Sequence, residues 1–370
     1  MTDLLHSPLH DLNEKLGASF TDFGGWNMPL KYGRELEEHR AVRECVGVFD
    51  LSHMGELSVR GSDAAAFLDY VLVSQLSTLP VGKAKYSMIV NAEGGIIDDL
   101  ISYRLAEDEF LVVPNAGNQP AVWAAFEDRA RERFADADLV LENQSLDTAL
   151  IAVQGPRSAE LLSELVPADS TDTLNGLSYY SAAPLAVAGV DTLVARTGYT
   201  GEDGFEVYVD KEHAPAVFSA VVDKLEAYEG VACGLAARDS LRLEAAMPLY
   251  GHELSEDLTP VDAGLRVLVG KNKTGEFYGD QLRELPTPQR KLVGLRGEGR
   301  RAARAGSVLY LGEERVGEIT SGQLSPTLGH PIALAYVDAD HAAEGTTLEA
   351  DVRGKRQPMT IVARPFYKRG

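Results

Sequence analysis

Apolar residues alternate with polar ones in short runs along most of this chain, and recur at helical spacing in only a few stretches. Two β-branched apolar runs, over 86–90 and 96–105, flank Asn91-Ala-Glu-Gly-Gly95. Glycines there supply the positive φ a tight reversal needs, so the passage predicts a β-hairpin. Alternation also predicts strands at 109–113 and 148–153, and a strand-loop-strand passage from Val48 to Glu56 that Leu57 and Val59 continue. Two more strands, within 192–209, are joined by a glycine-rich loop. Helical spacing marks 8–16, 34–45, 63–71 with Ser62 as its cap, 121–134, 158–165 and 236–246. Residues 23–30 combine loop chemistry with large apolar side chains and predict a packed loop. Beyond a Pro-rich linker at 285–289 come six short strands, at 292–295, 307–311, 315–320, 332–337, 347–352 and 360–363. That spacing predicts a small β-barrel or jelly roll, and the chain as a whole reads as α+β with hairpins inside its sheets.

A chain of 370 residues exceeds one ordinary core and predicts two or three domains. Its 45% hydrophobic and 25% charged content is that of a globular protein. No basic-then-apolar N-terminus and no apolar run of about 18 residues is present, so neither a signal peptide nor a transmembrane helix is expected. Cys45 and Cys233 lie far apart and read as reduced, buried residues of a cytoplasmic protein. A net charge of −21 argues against general nucleic-acid or membrane binding. Residues 286–370 depart from that balance, with 13 Lys and Arg against 9 Asp and Glu. This part, including Arg300, Arg301 and Arg304, is where an acidic partner or substrate tail would dock, unless the excess is ordinary variation between domains.

Candidate chemistry centres on Asp98 and Asp99, just past the hairpin turn. Successive strand residues face opposite sides, so the two carboxylates must separate. Asp98 shares its face with Ile96, Leu100, Ser102 and Arg104, where a cation is available. Asp99 shares its face with Ile97, Ile101, Tyr103 and Leu105, an apolar setting in which a carboxylate must be paired, shifted in pKa or functional. The alternative is a turn-proximal Asp bonded to backbone amides. Gly198, Gly201 and Gly204 space as G-x-x-G-x-x-G without a following Lys-Ser/Thr, which is neither a dinucleotide fingerprint nor a P-loop. Such a loop either lets a ligand approach the backbone, with Glu206 at its mouth, or is an ordinary hairpin loop. Arg238 and Arg242, four apart on a helix, present two cations together, to a carboxylate ligand or to neighbouring acids. His53 has no partner at metal-ligand spacing and reads as structural. No nucleophile elbow, Walker motif or metal-ligand spacing occurs. Isolated carboxylates suit a ligand with paired N–H donors, such as the 2-amino-4-oxo edge of a pterin. The residues permit a small-molecule site without identifying it.

The motifs Asp22-Phe-Gly-Gly-Trp-Asn-Met-Pro29, Phe49-Asp-Leu-Ser-His-Met-Gly-Glu56, Asn91 to Leu100, Arg196-Thr-Gly-Tyr-Thr-Gly-Glu-Asp-Gly-Phe-Glu206, Leu235-Ala-Ala-Arg-Asp-Ser-Leu-Arg-Leu-Glu244 and Val316-Gly-Glu-Ile-Thr-Ser-Gly322 closely resemble, in order and over nearly the whole chain, the T-protein of the glycine cleavage system. The resemblance implies an aminomethyltransferase that moves a one-carbon unit from the aminomethylated lipoyl arm of H-protein to tetrahydrofolate, releasing ammonia. It implies a three-domain cloverleaf: 1–50 with 148–285 as the folate-binding core, 51–147 as an α+β domain carrying the hairpin, and 286–370 as the barrel. By motif, Asp99 becomes the catalytic acid beside the reacting folate nitrogens and Glu206 the group on the pterin edge. Tyr86, Asn115 and Tyr199 would line the pocket, Arg238 would meet the folate, and Met54 and Leu57 would pack nearby. Pro114 departs from the family pattern and removes a backbone donor next to Asn115. The rivals are a tetrahydrofolate-dependent demethylase of a small methylated substrate and a non-enzymatic folate-binding accessory protein. The latter's Lys-Gly-Cys-Tyr-x-Gly-Gln-Glu hallmark is replaced here by Arg196-Thr-Gly-Tyr-Thr-Gly-Glu-Asp203.

Overall fold

The computed structural model describes residues 4–269 and 273–370. The expected hairpin forms from Ala84–Val90 and Ile96–Ala106. Asn91 closes its turn twice over: its amide donates to the Gly95 carbonyl at 2.8 Å, and its Oδ1 accepts the Gly95 N–H at 2.7 Å. Gly94, at φ 88°, supplies the left-handed residue this reversal requires. The hairpin begins a five-stranded sheet that continues through Glu109–Val113, Leu57–Arg60 and Val140–Asn143.

A six-stranded sheet runs in the spatial order Ala182–Val187, Val190–Ala195, Gly204–Asp210, Thr148–Gln154, Gly47–Asp50 and Val231–Ala232. Its pairings are antiparallel except the last. Phe205, Val207 and Val209 point into a core with Val48, Ile151 and Val153, beneath the helices Ser158–Ser163 and Ala214–Leu225. Glu206 and Tyr208 take the opposite face, as alternation requires, yet they too are buried.

Six C-terminal strands close into a barrel, with Arg290–Gly297 pairing to both Pro331–Asp338 and Lys355–Val362. The α+β class, antiparallel sheets and small C-terminal barrel therefore match expectation, the barrel form prevailing over the jelly roll. By internal contacts the chain forms two compact units. One joins the residues up to Ile89 with Asp99–Arg238; the other joins Val90–Asp98 with Asp239–Gly370.

Three local expectations need correction. Residues 23–30 are no loop: Trp26–Lys31 is the central strand of a three-stranded sheet, between Leu5–His6 and Ser19–Phe23. Pro29 is tolerated there because the Leu5–His6 pairing ends at Asn27. Ser62 does not cap the following helix, Ala64–Val71; its hydroxyl and amide both go to Asp138, at 2.8 and 3.0 Å. The first helix is confined to His10–Lys15.

Candidate active site

The hairpin strand Ile96–Ala106 presents its two carboxylates to different environments. Asp98 is the more enclosed, fully buried with Ile96, Leu100 and Ser102, whereas Asp99 lies on a half-open face. The cation expected beside Asp98 is engaged elsewhere: Arg104 donates to the carbonyls of Ser77 and Leu79 and to Glu107. Asp99 is held at both oxygens. The Tyr86 hydroxyl donates to Oδ2 at 2.9 Å, and the Asn115 amide donates to Oδ1 at 3.0 Å and to the Asp99 carbonyl at 2.9 Å. Some of the residue's surface is accessible, but the carboxyl is enclosed by its partners. Burial lifts its pKa to about 6 against the lowering effect of those hydrogen bonds.

Pro114, next to Asn115, has no backbone N–H to donate. Pro114 uses its carbonyl instead, accepting the Gly55 N–H at 3.0 Å. The same bond sets half-buried Met54 beside the Asn115 segment. Leu57 is different: with no exposed surface, it backs the sheet and does not line an opening.

A second carboxylate, Glu206, is buried on strand Gly204–Asp210. Its Oε2 accepts from Thr197 Oγ1 at 2.5 Å and from the Tyr103 hydroxyl at 3.5 Å. Burial raises its pKa, while Thr197, Arg238 and Tyr103 pull the other way. The Arg238 guanidinium stacks 4.7 Å from the Tyr199 ring centre, and burial lowers its own pKa. The charges of Asp99 and Glu206 both act on Tyr180, whose own phenol burial holds neutral. Tyr180 also adopts φ 61°, a left-handed conformation uncommon for a bulky side chain. Tyr86, Asp99, Asn115, Tyr180, Tyr199, Glu206 and Arg238 thus form one electrostatically connected group.

The His53 ring is held neutral. Burial, helped by Arg238, drops its pKa to about 3. The two arginines of helix Leu235–Glu244 do not act as a pair. Arg242 is buried against Glu253 at 3.0 Å and donates to Ser321 at 2.8 Å.

The glycine loop holds the protein's own side chain. A Cβ at Gly198 would stand 2.0 Å from Gln154 Oε1, and one at Gly204 would stand 2.4 Å from Gln154 Nε2. In that space Gln154 donates to the Thr197 carbonyl at 3.0 Å and accepts from Thr200 Oγ1 at 2.8 Å. The loop acids are paired as well, Glu202 with Arg43 at 3.0 Å and Asp203 with Arg196 at 2.6 Å. Tyr103, Thr197 and Tyr180 were not singled out from sequence. Tyr103 could have been, since it shares the Asp99 face; nothing in the local pattern marks Tyr180.

Residues 9–273 match the GCVT N-terminal domain, and residues 290–368 match the glycine cleavage T-protein C-terminal barrel domain. The chain is 55% identical to the aminomethyltransferase of Corynebacterium aurimucosum, with all of both chains covered. It is 52% identical to that of Streptomyces avermitilis, over 98% of each. The crystal structure of glycine cleavage system aminomethyltransferase T from Bartonella henselae covers 99% of this chain and 98% of its own, at 37% identity and a TM-score of 0.89. A mixed N-terminal region followed by a closed barrel, with relatives of this kind along its full length, defines an enzyme of the aminomethyltransferase class. The chain belongs to the glycine cleavage T-protein family.

Proposed function

We propose that the protein transfers the one-carbon unit of aminomethyl-dihydrolipoyl H-protein to tetrahydrofolate, yielding 5,10-methylenetetrahydrofolate, ammonia and dihydrolipoyl H-protein. Two C–N bonds form to the acceptor's nitrogens as the methylene's bonds to ammonia and to the lipoyl sulfur break. The two acceptor N–H protons leave on ammonia and on the thiol. The observation that carries this reading is the Tyr86–Asp99–Asn115 cluster. It holds a carboxylate in place with a pKa near 6, so the group is ionised at neutral pH yet basic enough to exchange a proton. Asp99 serves the folate amine and the departing ammonium, by proton transfer and by its charge.

Glu206 takes the paired N–H donors of the pterin edge, and Tyr86, Asn115 and Tyr199 line the pterin. Arg238 meets the folate, Met54 packs against it, and Leu57 supports the wall from behind. The boundaries that go with this reading are 1–50 with 148–285, 51–147 and 286–370, each holding one of the three larger sheets. The basic stretch at 286–370 offers Arg300, Arg301 and Arg304 to an acidic partner or a glutamate tail. The protein works in the cytoplasm; among the described residues no helix is long and apolar enough to cross a membrane.

The deciding experiment measures tetrahydrofolate-dependent ammonia release with H-protein as the sole aminomethyl donor. Asp99→Asn is expected to lower turnover by about 10²–10⁴-fold while tetrahydrofolate still binds, and Asp98→Asn is expected to be milder. Wild-type turnover in Asp99→Asn would sink the assignment. Inactivity of the native enzyme with H-protein, together with activity on a small methylated amine, would favour the demethylase.

A further inference from the structure

A line of buried hydroxyls reaches Glu206. The Tyr208 hydroxyl donates to the Tyr103 hydroxyl at 3.2 Å, which lies 3.0 Å from Thr197 Oγ1; Thr197 in turn donates to Glu206 Oε2 at 2.5 Å. Tyr103, Tyr208 and Thr197 are each at most 4% exposed, so water does not substitute for these bonds. The two tyrosine rings meet edge to face at 5.7 Å, which fixes both hydroxyls. Both hydrogen bonds to Glu206 fall on Oε2; Oε1 has no hydrogen-bond partner among the described residues.

We propose that Thr197 and Tyr103 are positioning residues for Glu206: Thr197 donates to Oε2 with Tyr103 behind it, the two favour the charged carboxylate against its burial, and Oε1 is left as the acceptor for a ligand N–H. The inference rests on the reading that Glu206 receives the pterin edge. Its physical basis is that donors directed at a buried carboxylate favour the charged form, and that successive hydroxyls polarise one another toward the anion. The charged and titratable groups that face Glu206 are Arg238 from its helix, Tyr103 from the hairpin strand, Tyr180 from the turn before Ala182–Val187 and Tyr208 from its own strand. The three phenols stay neutral at any pH the enzyme meets, because burial raises each of them. Among these groups Glu206 is the carboxyl whose pKa burial raises and whose donors pull it back down.

The test is tetrahydrofolate binding from pH 5 to 9 in the full-length Asp99→Asn protein, so that Asp99 adds no titration of its own. Thr197→Val is expected to move the acid midpoint of binding up by about one pH unit. Binding should be about tenfold weaker on the acid side and recover at alkaline pH. Tyr103→Phe should shift the midpoint the same way by less, and Thr197→Ser should restore it. Weakening that is equal at every pH, or a midpoint unmoved in both variants, overturns the inference. Glu206→Gln separates this result from failure of the ligand reading. If Glu206→Gln binds as tightly as its parent at every pH, Glu206 is not the ligand acceptor. If it binds weakly while the other midpoints stay put, only the positioning role falls. Should Thr197→Val fail to fold, Tyr103→Phe carries the measurement.

Discussion

Asp99 holds its proton more tightly in the folded chain than in the unfolded one, with consequences for rate and for stability. Since its carboxylate form dominates only above about pH 6, kcat/KM should fall about tenfold per pH unit below that point, a limb absent from the residual activity of Asp99→Asn. Stability responds with the opposite sign. A raised carboxyl pKa favours folding at low pH and ceases to do so as pH climbs from about 4 to about 6. The lift from 3.8 to about 6 is worth roughly 3 kcal/mol. Denaturant titrations at pH 4 and pH 7 should therefore show Asp99→Asn gaining stability relative to wild type only at the higher pH. Glu56 extends the argument. It is fully buried, neither oxygen has a partner among the described residues, and burial raises its pKa well above the usual range. Glu56→Gln is expected to raise the melting temperature at pH 7, with the gain shrinking as pH falls toward 4; a loss at pH 7 would contradict a neutral Glu56. At this scale the sequence separated Asp98 from Asp99 because strand period is a local property. It could not show which face is the more enclosed, or that Tyr86 and Asn115 meet Asp99, because those depend on residues brought together from other segments.

Glycine-rich elements invite a ligand reading, and here the same spacing serves packing. Gly204→Ala forces its methyl group into the Gln154 amide and should cost about 1–3 kcal/mol in chemical denaturation. Combining it with Gln154→Ala should cost less than the sum of the two single changes; additive costs would mean that the clash is relieved elsewhere. Helix Leu235–Glu244 gives a comparable lesson. Spacing of four predicted two cations presented together at Arg238 and Arg242, but Arg238 stacks on Tyr199 while Arg242 meets an acid 11 residues on, Glu253, which local pattern does not reveal. Arg242→Met strands that buried carboxylate and should lower stability by about 3–5 kcal/mol. Strands fared better than turns. All six barrel strands were legible from alternation and turn residues, whereas Trp26–Lys31 was missed because its own proline and the Gly24-Gly25 turn just before it carry loop composition. Its strand character comes from pairing with Leu5–His6 and Ser19–Phe23.

For the whole molecule, composition pointed to a globular protein of more than one domain, while closure of the barrel came only from register. Arg290–Gly297 finding two partners is a pairing fact that no single strand encodes. Native-state hydrogen exchange should accordingly show the barrel amides opening together near the global unfolding free energy, and Val140–Asn143, at the margin of its sheet, opening earlier. Separate early exchange of Val308–Leu311 would show that the ring opens piecewise. Ring closure also bears on how the chain behaves in a crowded cell. A closed ring has no vacant row of amides and carbonyls on which a foreign strand could grow, so the C-terminal segment is a poor seed for cross-chain β assembly. The six-stranded sheet has a margin at Ala182–Val187, where the Ala182 N–H is already taken by the Gly82 carbonyl at 2.9 Å and Pro184 removes a further donor. One region is protected by having no edge and the other by a proline on its edge.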